Sequence, residues 1–179
     1  MKFTLDLKFD AADAGSLDAA SLLQSMPTHR EALLDILQVE GRIVVCFDGE
    51  EPCEPYSDPL VRLVDLWLRK LPWIIGGDTE TVALRNSEQC FAFVPAAGSV
   101  EVSFFVGSEA EIEEYLIEPT TTRLEVFVTQ VIGMGDTLVM IIEAVDASFL
   151  TRLEEGKDLL TSLTEAKNSW RDHLLHQRR

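Results

Sequence analysis

Strict alternation of apolar and polar residues predicts the first β-strand of this chain. Residues 3–9 place an apolar side chain at every second position, as a strand with one face on a core does. Residues 43–47 are apolar without interruption, which predicts a central strand that is buried on both faces. Further along, short apolar runs separated by turn residues predict a three-stranded meander over residues 81–85, 89–94 and 99–106.

A spacing of three and four residues predicts a core helix over residues 59–71. Asp58 is expected to be its N-cap, and Pro72 is expected to end it. Most of the circumference of this helix is apolar, so it should be buried. The side chains expected to face water are those of Arg62, Asp65 and Arg69.

Capping patterns predict further helices over residues 16–26, 28–41 and 108–117. The second and third begin with Thr or Ser followed three residues later by Glu, which is the capping-box pattern. Two apolar runs, residues 123–132 and 137–145, flank two glycines and are predicted to pair as a β-hairpin. The buried face of the helix over residues 28–41 is expected to contain Leu33, Leu34, Ile36 and Leu37.

A long C-terminal helix is predicted over residues 147–177, because apolar residues there repeat alternately every four and three positions. We expect this helix to lie across the sheet; in the alternative interpretation it joins two copies of the chain or binds a partner. The heptad seam consists of Phe149, Leu153, Gly156, Leu160, Leu163, Lys167, Trp170 and Leu174.

These elements predict one α+β domain that spans residues 1–179. A chain of this length most often forms a single domain, and folding should bury about 70% of its unfolded surface. The expected architecture is a mostly antiparallel sheet of six or seven strands. Its helices should pack mainly on one face, together with the long C-terminal helix.

The net charge of −16 is the unusual property of the composition. Residues 1–150 hold 9 Lys and Arg against 26 Asp and Glu, a net of −17, whereas residues 151–179 hold 6 against 5, a net of +1. Such a chain repels nucleic acid and anionic membrane surfaces, so neither is an expected partner. The acidity either serves solubility alone or favours a basic protein as partner.

The terminal and cysteine patterns indicate a cytoplasmic protein. No run approaches 18 consecutive apolar residues, so no transmembrane helix is expected. The N-terminus alternates in polarity and meets an acid at Asp6, unlike the apolar region of a secretory signal. The three cysteines include no CxxC pair, so no structural disulfide is expected.

No motif for catalysis or metal binding stands out, so the chain is not expected to be an enzyme. His173 and His176 lie one turn apart but lack an acid or thiol at ligand spacing. Gly133-x-Gly135 lacks the third glycine and the following helix of a dinucleotide-binding loop, and neither GxSxG nor HExxH occurs. We therefore predict no catalytic residue, no cofactor and no metal site.

Two acidic stretches, residues 48–58 and 109–118, are the candidate binding surface. Each contains a tyrosine, a residue type enriched at interface hot spots, and clustered carboxylates steer a basic partner toward them. The predicted partner-binding residues are Asp48, Glu50, Glu51, Glu54, Tyr56, Glu111, Glu113, Glu114 and Tyr115.

We therefore expect a small acidic binding protein of bacterial type. The concrete hypothesis is an inhibitor or immunity protein that neutralises a basic partner, such as a toxin nuclease, through its acidic surface. One alternative is an enzyme or small-ligand-binding protein with a pocket between sheet and helices, lined by Trp67, Trp73 and Tyr56. The other is an oligomeric scaffold, in which the C-terminal heptad helix forms a homodimer.

Overall fold

The computed structural model describes residues 2–11, 15–33, 35–36, 38–49, 51–108 and 110–177. A short 3-10 helix spans Glu31–Leu33. The other elements, in chain order, are β1 (Phe3–Ala11), β2 (Gly15–Asp18), α1 (Ala19–Gln24), α2 (Met26–His29), β3 (Glu40–Phe47), β4 (Asp58–Pro59), α3 (Leu60–Gly76), β5 (Glu80–Ala83), β6 (Gln89–Ala96), β7 (Ser99–Ser108), β8 (Glu111–Arg123), α4 (Leu124–Asp146), α5 (Phe149–Arg152) and α6 (Glu154–Gln177).

The described strands form two antiparallel sheets of four strands each. The first has the order β2-β1-β3-β4 and the second the order β5-β6-β7-β8. The α+β class and the meander of β5, β6 and β7 are therefore confirmed, whereas the single sheet of six or seven strands is wrong. The chain passes from the first sheet to the second through α3, so the meander pairs with β8 instead of extending the first sheet.

An aromatic cluster around Trp67 of α3 connects the two sheets. The indole ring makes edge contacts with Phe91 and Phe93 of β6, at centroid distances of 5.0 and 4.7 Å. It also stacks on Phe127 of α4 at 6.2 Å, and Phe127 contacts Phe3 of β1 at 5.8 Å. One continuous core of buried side chains therefore runs from the first sheet through α3 and α4 to the second.

The predicted core helix is confirmed as α3, but both of its predicted ends are wrong. The helix continues through Pro72 to Gly76. Leu71 and Ile74 on either side of the proline are buried. Burial of these side chains on the core face outweighs the local preference of proline for ending a helix.

Asp58 ties two elements together instead of capping α3, which has no side-chain cap at its N-terminus. Its carboxylate is fully buried and accepts a hydrogen bond from the backbone N–H of Arg85, between β5 and β6. The other carboxylate oxygen lies 3.3 Å from the guanidinium of Arg62. The start of α3 is thereby connected to the second sheet.

Residues 124–146 form the single helix α4, so the predicted β-hairpin is wrong. A run that is apolar at nearly every position suits a buried helix as well as a buried strand. A Cβ at Gly135 would lie 3.0 Å from side-chain carbons of both Leu68 in α3 and Leu163 in α6. The glycine that suggested a turn therefore permits three helices to approach closely.

By length and composition, α4 is the one helix in the described part of the chain that is apolar enough to cross a membrane. The core helix of a soluble protein meets the same criteria, and α4 packs against α3, α6 and β1. The cytoplasmic location stays a prediction. The buried residues of α4 are Leu124, Phe127, Val128, Val131, Met134, Gly135, Leu138, Ile141, Ile142 and Val145.

Residues 111–123 form the edge strand β8, so the predicted helix over residues 108–117 is wrong. The Ser108 hydroxyl does accept a hydrogen bond from the Glu111 N–H, at 3.2 Å, but this bond lies in the turn between β7 and β8. Pairing with β7 along the whole strand outweighs the local capping pattern. Pro119 lies within this edge strand, where the missing N–H is tolerated.

The segment between β1 and β3 is less helical than its capping patterns predict. The predicted helix over residues 16–26 is replaced by β2 and the six-residue α1, whose N-cap is Asp18. Among the described residues, the predicted helix over residues 28–41 is reduced to the end of α2 and the 3-10 helix. Leu34 and Leu37, which were expected on its buried face, lie outside the described residues.

The long C-terminal helix is confirmed as α5 followed by α6, but α6 packs mainly on α3 and α4, whereas it was expected to lie across the sheet. The break lies at Leu153, whose backbone is extended, and Gly156 sits inside α6. A Cβ at Gly156 would clash with the carbonyl oxygen of Phe149, so this close approach requires glycine. A homodimer through the heptad seam stays a prediction. Within the chain, the apolar face of α6 packs against α3 and α4. The buried residues of α6 are Gly156, Leu159, Ser162, Leu163 and Ala166.

Replacement of two glycines in α4 distinguishes the helix from the hairpin. Gly133→Ala should raise the free energy of unfolding by about 0.5–1 kcal/mol, because alanine favours a helix and nothing lies within 4 Å of the new Cβ. Gly135→Val should lower it by about 1–3 kcal/mol through overpacking against Leu68 and Leu163. Urea denaturation measures both. A loss of stability with Gly133→Ala would indicate a turn there and contradict the helix.

Asp58→Ala should lower the free energy of unfolding by about 2–3 kcal/mol, since it removes the buried carboxylate that accepts from the Arg85 N–H and pairs with Arg62. Asp58→Asn retains an oxygen for the Arg85 N–H and should lose less. Denaturation in guanidinium chloride compares the two variants with the native chain. A change of under about 0.5 kcal/mol for Asp58→Ala, the usual range of a surface substitution, would exclude this role.

Candidate functional site

The structure places the predicted binding residues on two exposed segments. Asp48, Glu51, Glu54 and Tyr56 lie on the connection between β3 and β4, which we call the acidic connection (residues 48–57). The others, Glu111, Glu113, Glu114 and Tyr115, lie on β8, and all of these side chains are exposed. Glu50 lies outside the described residues, as does Glu109 of the second acidic stretch.

A crevice of about 220 Å³ brings the acidic connection and β8 together, although some 60 residues separate them in the sequence. Glu51 and Cys53 line it from the acidic connection, and Glu118 lines it from β8. Glu118 lies in the predicted acidic stretch but was not among the predicted site residues, because the helix predicted over residues 108–117 ends before it. The remaining lining residues are Val45, Phe47, Leu116, Ile117 and Thr120.

The crevice lies between the edges of the two sheets. On one side, Cys53 extends the edge of the first sheet: its N–H donates to the carbonyl of Val45 at 2.9 Å, and its carbonyl accepts the Val45 N–H at 3.1 Å. On the other side, β8 is the last strand of the second sheet and, within the described residues, pairs only with β7. Each wall is therefore part of a regular sheet, and its position is set by the core.

The glutamate carboxylates of β8 have no cationic side chain beside them, whereas several other acids of the chain are in ion pairs. We call Glu111, Glu113, Glu114 and Glu118 the β8 glutamates. No Lys, Arg or His nitrogen of the described chain lies within 4.0 Å of them. By contrast, Glu54 of the acidic connection is paired with Lys8 and lies 3.8 Å from Arg42. Glu54 is therefore less available to a partner than its exposure suggests.

A second group of acids surrounds the turn between β7 and β8. Glu88 approaches Glu111 and Glu113 there and lines the same shallow cleft, of about 320 Å³. The β8 strand thus carries carboxylates at its beginning, beside Glu88, and near its middle at Glu118, beside Glu51. The two predicted acidic stretches contribute to one edge of the molecule.

The two tyrosines of the predicted surface contact different strands of the second sheet. The ring of Tyr115 packs edge-on against Phe105 of β7 at 6.1 Å, and Phe105 is buried. Tyr56 is 67% exposed, and its backbone N–H donates to the side-chain oxygen of Gln89 at 2.9 Å. Tyr115 therefore belongs to the β8 surface, whereas Tyr56 of the acidic connection lies beside Gln89, the first residue of β6.

Cys53 lines the crevice, in a setting that favours the neutral form of its thiol. Burial raises the pKa of this thiol, and the nearby carboxylate of Glu54 raises it further. A raised pKa disfavours the thiolate, so Cys53 is a weak nucleophile and a poor metal ligand. Cys46, in β3, is a free thiol like Cys53.

A larger cleft, of about 430 Å³, lies between the edge of β1 and α4. There the side-chain oxygen of Gln130 accepts the backbone N–H of Leu5 at 3.1 Å. Asp18 also lines this cleft, but hydrogen bonds from the amide and hydroxyl of Ser21 lower its pKa and show it to be a helix cap. Trp67, expected to line a ligand pocket, is buried in the aromatic core instead.

Three arginines line a cleft of about 330 Å³ beside α3: Arg62, Arg69 and Arg85. Two of them are balanced by acids. Arg69 lies 2.8 Å from Asp65 and 2.9 Å from Asp158, and Arg62 is paired with the buried Asp58. The cleft therefore offers little excess positive charge to an anionic ligand.

The two C-terminal histidines have partners within α6. The Nδ1 atom of His176 lies 2.7 Å from the backbone oxygen of Asp172, and Gln177 contacts His173 at 2.8 Å. The ring of His173 also stacks on Trp170. In the part of the chain that the structure describes, no three His, Cys, Asp or Glu side chains are grouped to hold a metal ion.

Comparison with protein-family models, with curated proteins and with solved structures gives no match for this chain. Its function has to be inferred from the residues and their geometry.

The buried Asp65 predicts a pH dependence of stability. Burial raises its pKa above 3.8, although the Ser162 hydroxyl, 2.6 Å away, and Arg69 act in the opposite direction. The folded chain therefore holds this proton more tightly than the unfolded chain, so ionisation of Asp65 lowers stability as the pH rises through its folded pKa. Asp65→Asn cannot ionise. Its free energy of unfolding, relative to the native chain, should increase between about pH 3.5 and about pH 7. Urea denaturation at both values measures this difference, and a constant difference would disprove the effect.

Proposed function

We propose that this chain is a small acidic binding protein that covers a basic surface of a protein partner, as an inhibitor or immunity protein covers a basic toxin such as a nuclease. The observation that carries the proposal is the set of β8 glutamates, exposed on a sheet edge and without a cationic partner in the described chain. Uncompensated carboxylates attract a basic protein and accelerate its encounter with the surface.

The distribution of cations supports a directed surface. Beside the first sheet, Lys8 is paired with Glu54, and Arg42 is paired with Asp10 and lies near Glu54, so these two acids are neutralised locally. Arg123, the one cation on β8, pairs with Glu125 and leaves the β8 glutamates free. A basic partner therefore meets less internal competition at β8 than at the first sheet.

Protection of a sheet edge is the competing explanation for the same glutamates. Charged side chains and irregular pairing keep an edge strand from pairing with another copy, and β8 shifts its register against β7 at three places. The two explanations differ in outcome. Loss of the charges would weaken partner binding under our proposal and would promote self-association under the other.

A second candidate function, small-ligand binding, rests on the cleft between β1 and α4. Its volume of about 430 Å³ falls within the roughly 300–1,000 Å³ of typical ligand pockets. Its polar groups include Asp6, Thr129 and Thr137. A ligand that raises the melting temperature of the native chain, but not that of a Gly133→Phe variant with a filled cleft, would favour this function.

Charge reversal on β8 tests the proposed function. Affinity-tagged native chain should capture a basic protein from a native lysate at low salt, and the captured protein should dissociate as the ionic strength rises. Reversal of three β8 charges should slow association by about tenfold or more, as measured by stopped flow or surface plasmon resonance. If the partner is a toxin, its activity should fall on binding. The β8 variant is Glu111→Lys, Glu113→Lys and Glu114→Lys.

A matched control changes the net charge equally on the helices. Its three acids are exposed and, among the described residues, have no ion-pair partner. This control should keep most of the association rate of the native chain. Equal rates for the native chain and the β8 variant, or equal losses in both variants, would disprove a directed acidic surface. The control variant is Glu143→Lys, Glu154→Lys and Glu165→Lys.

A further inference from the structure

We propose that the crevice between the two sheets receives one lysine or arginine side chain of the basic partner. This inference rests on the proposed function and names the point at which the partner is anchored. The crevice is lined on one side by Val45, Phe47, Glu51 and Cys53 and on the other by Leu116, Ile117, Glu118 and Thr120.

The size of the crevice selects a single side chain. Its volume of about 220 Å³ lies below the roughly 300 Å³ at which pockets for small-molecule ligands usually begin. Its mouth opens between the acidic connection and β8, where a protruding side chain of a docked protein can enter. A flat acidic surface without this crevice would attract a partner but would not set its position.

The lining of the crevice matches the two parts of a basic side chain. Phe47 and Ile117 are buried and apolar, and they can pack against the aliphatic stem of lysine or arginine. Glu51 and Glu118 are exposed and supply a carboxylate from each wall for the cationic head. Glu51 lies on the acidic connection beside the first sheet, and Glu118 lies on β8 of the second sheet. Both contact the same head group only when the core holds the two sheets together.

The other groups of the crevice do not compete for that cation. Within the described residues neither Glu51 nor Glu118 has an ion-pair partner. The thiol of Cys53 stays neutral because its pKa is raised, and two carboxylates alone are too few for a metal site. A second copy of this chain, with a net charge of −16, is repelled by the same carboxylates. A basic protein side chain is therefore the occupant that charge complementarity favours.

Alkylation of Cys53 reports whether the crevice is occupied. Iodoacetamide is added to the full chain at low salt, and modification of the Cys53 peptide is followed by mass spectrometry. Hexalysine is the probe, and hexalysine acetylated at every side chain is its neutral counterpart. Hexalysine should slow the alkylation of Cys53 severalfold, whereas the acetylated peptide should leave the rate unchanged.

Two double variants remove equal charge at different places. Glu51→Gln with Glu118→Gln should weaken the protection by hexalysine about fivefold or more, since both charge contacts are lost. Glu143→Gln with Glu165→Gln, at exposed positions on α4 and α6, should retain most of the protection. For each variant the rate with peptide is divided by its own rate without peptide, so a change in intrinsic thiol reactivity cancels. All four substitutions are at exposed positions, and circular dichroism confirms that each variant is folded.

The results separate this inference from the proposed function. Absence of protection by hexalysine, or equal loss in the two double variants, overturns the crevice as the anchoring point. If a basic partner is captured but binds the Glu51→Gln, Glu118→Gln variant with unchanged affinity, the crevice assignment fails and the acidic surface stands. If hexalysine protects Cys53 as expected but charge reversal on β8 leaves partner association unchanged, the crevice stands and the proposed function fails.

Discussion

The packing of Trp67 among phenylalanines is the interaction on which the rest of the structure depends. Its indole connects Phe91 and Phe93 of the second sheet to Phe127 of α4, which contacts Phe3 of the first sheet. Each buried aromatic pair adds about 0.5–1.5 kcal/mol beyond the burial of its area. The indole N–H is buried and has no hydrogen-bond partner in the described chain, which costs about 1–3 kcal/mol. The aromatic packing has to outweigh that cost.

This core also decides where the acidic residues meet. The walls of the crevice belong to different sheets, and no backbone hydrogen bond joins β8 to the first sheet in the described residues. Their separation is therefore set by the helices packed between them, α3 and α4. A change in the packing of Trp67 or Phe127 would alter the distance between Glu51 and Glu118 without touching either residue.

The surfaces of this chain differ more in how many acids form ion pairs than in how many acids they carry. Among 31 acids, position in the sequence says little about which are neutralised. Glu54 and Glu118 are both exposed, yet Glu54 contacts Lys8 and Arg42 from neighbouring strands, whereas Glu118 has no such neighbour in the described structure. The negative potential available to a partner therefore depends on which strands lie side by side.

The sequence by itself determined the elements whose pattern has one interpretation. The alternation in β1, the apolar run of β3, the turns of the β5–β7 meander and the apolar face of α3 all predicted the observed element. The acidity of residues 48–58 and 109–118 was equally legible, as was the long C-terminal helix. In these segments local periodicity and long-range packing favour the same structure.

Only the tertiary structure decided the segments whose local signals allow two structures. Residues 124–146 are apolar on almost every side, which suits a buried strand or a buried helix. In the helix that forms, Gly135 lies close to Leu68 of α3 and Leu163 of α6. The pattern from Ser108 to Glu111 caps a helix or a strand turn equally well, and pairing with β7 selects the strand. The crevice leaves no pattern in the sequence. Its walls, at residues 45–53 and 116–120, are far apart in the chain and come together only through tertiary packing.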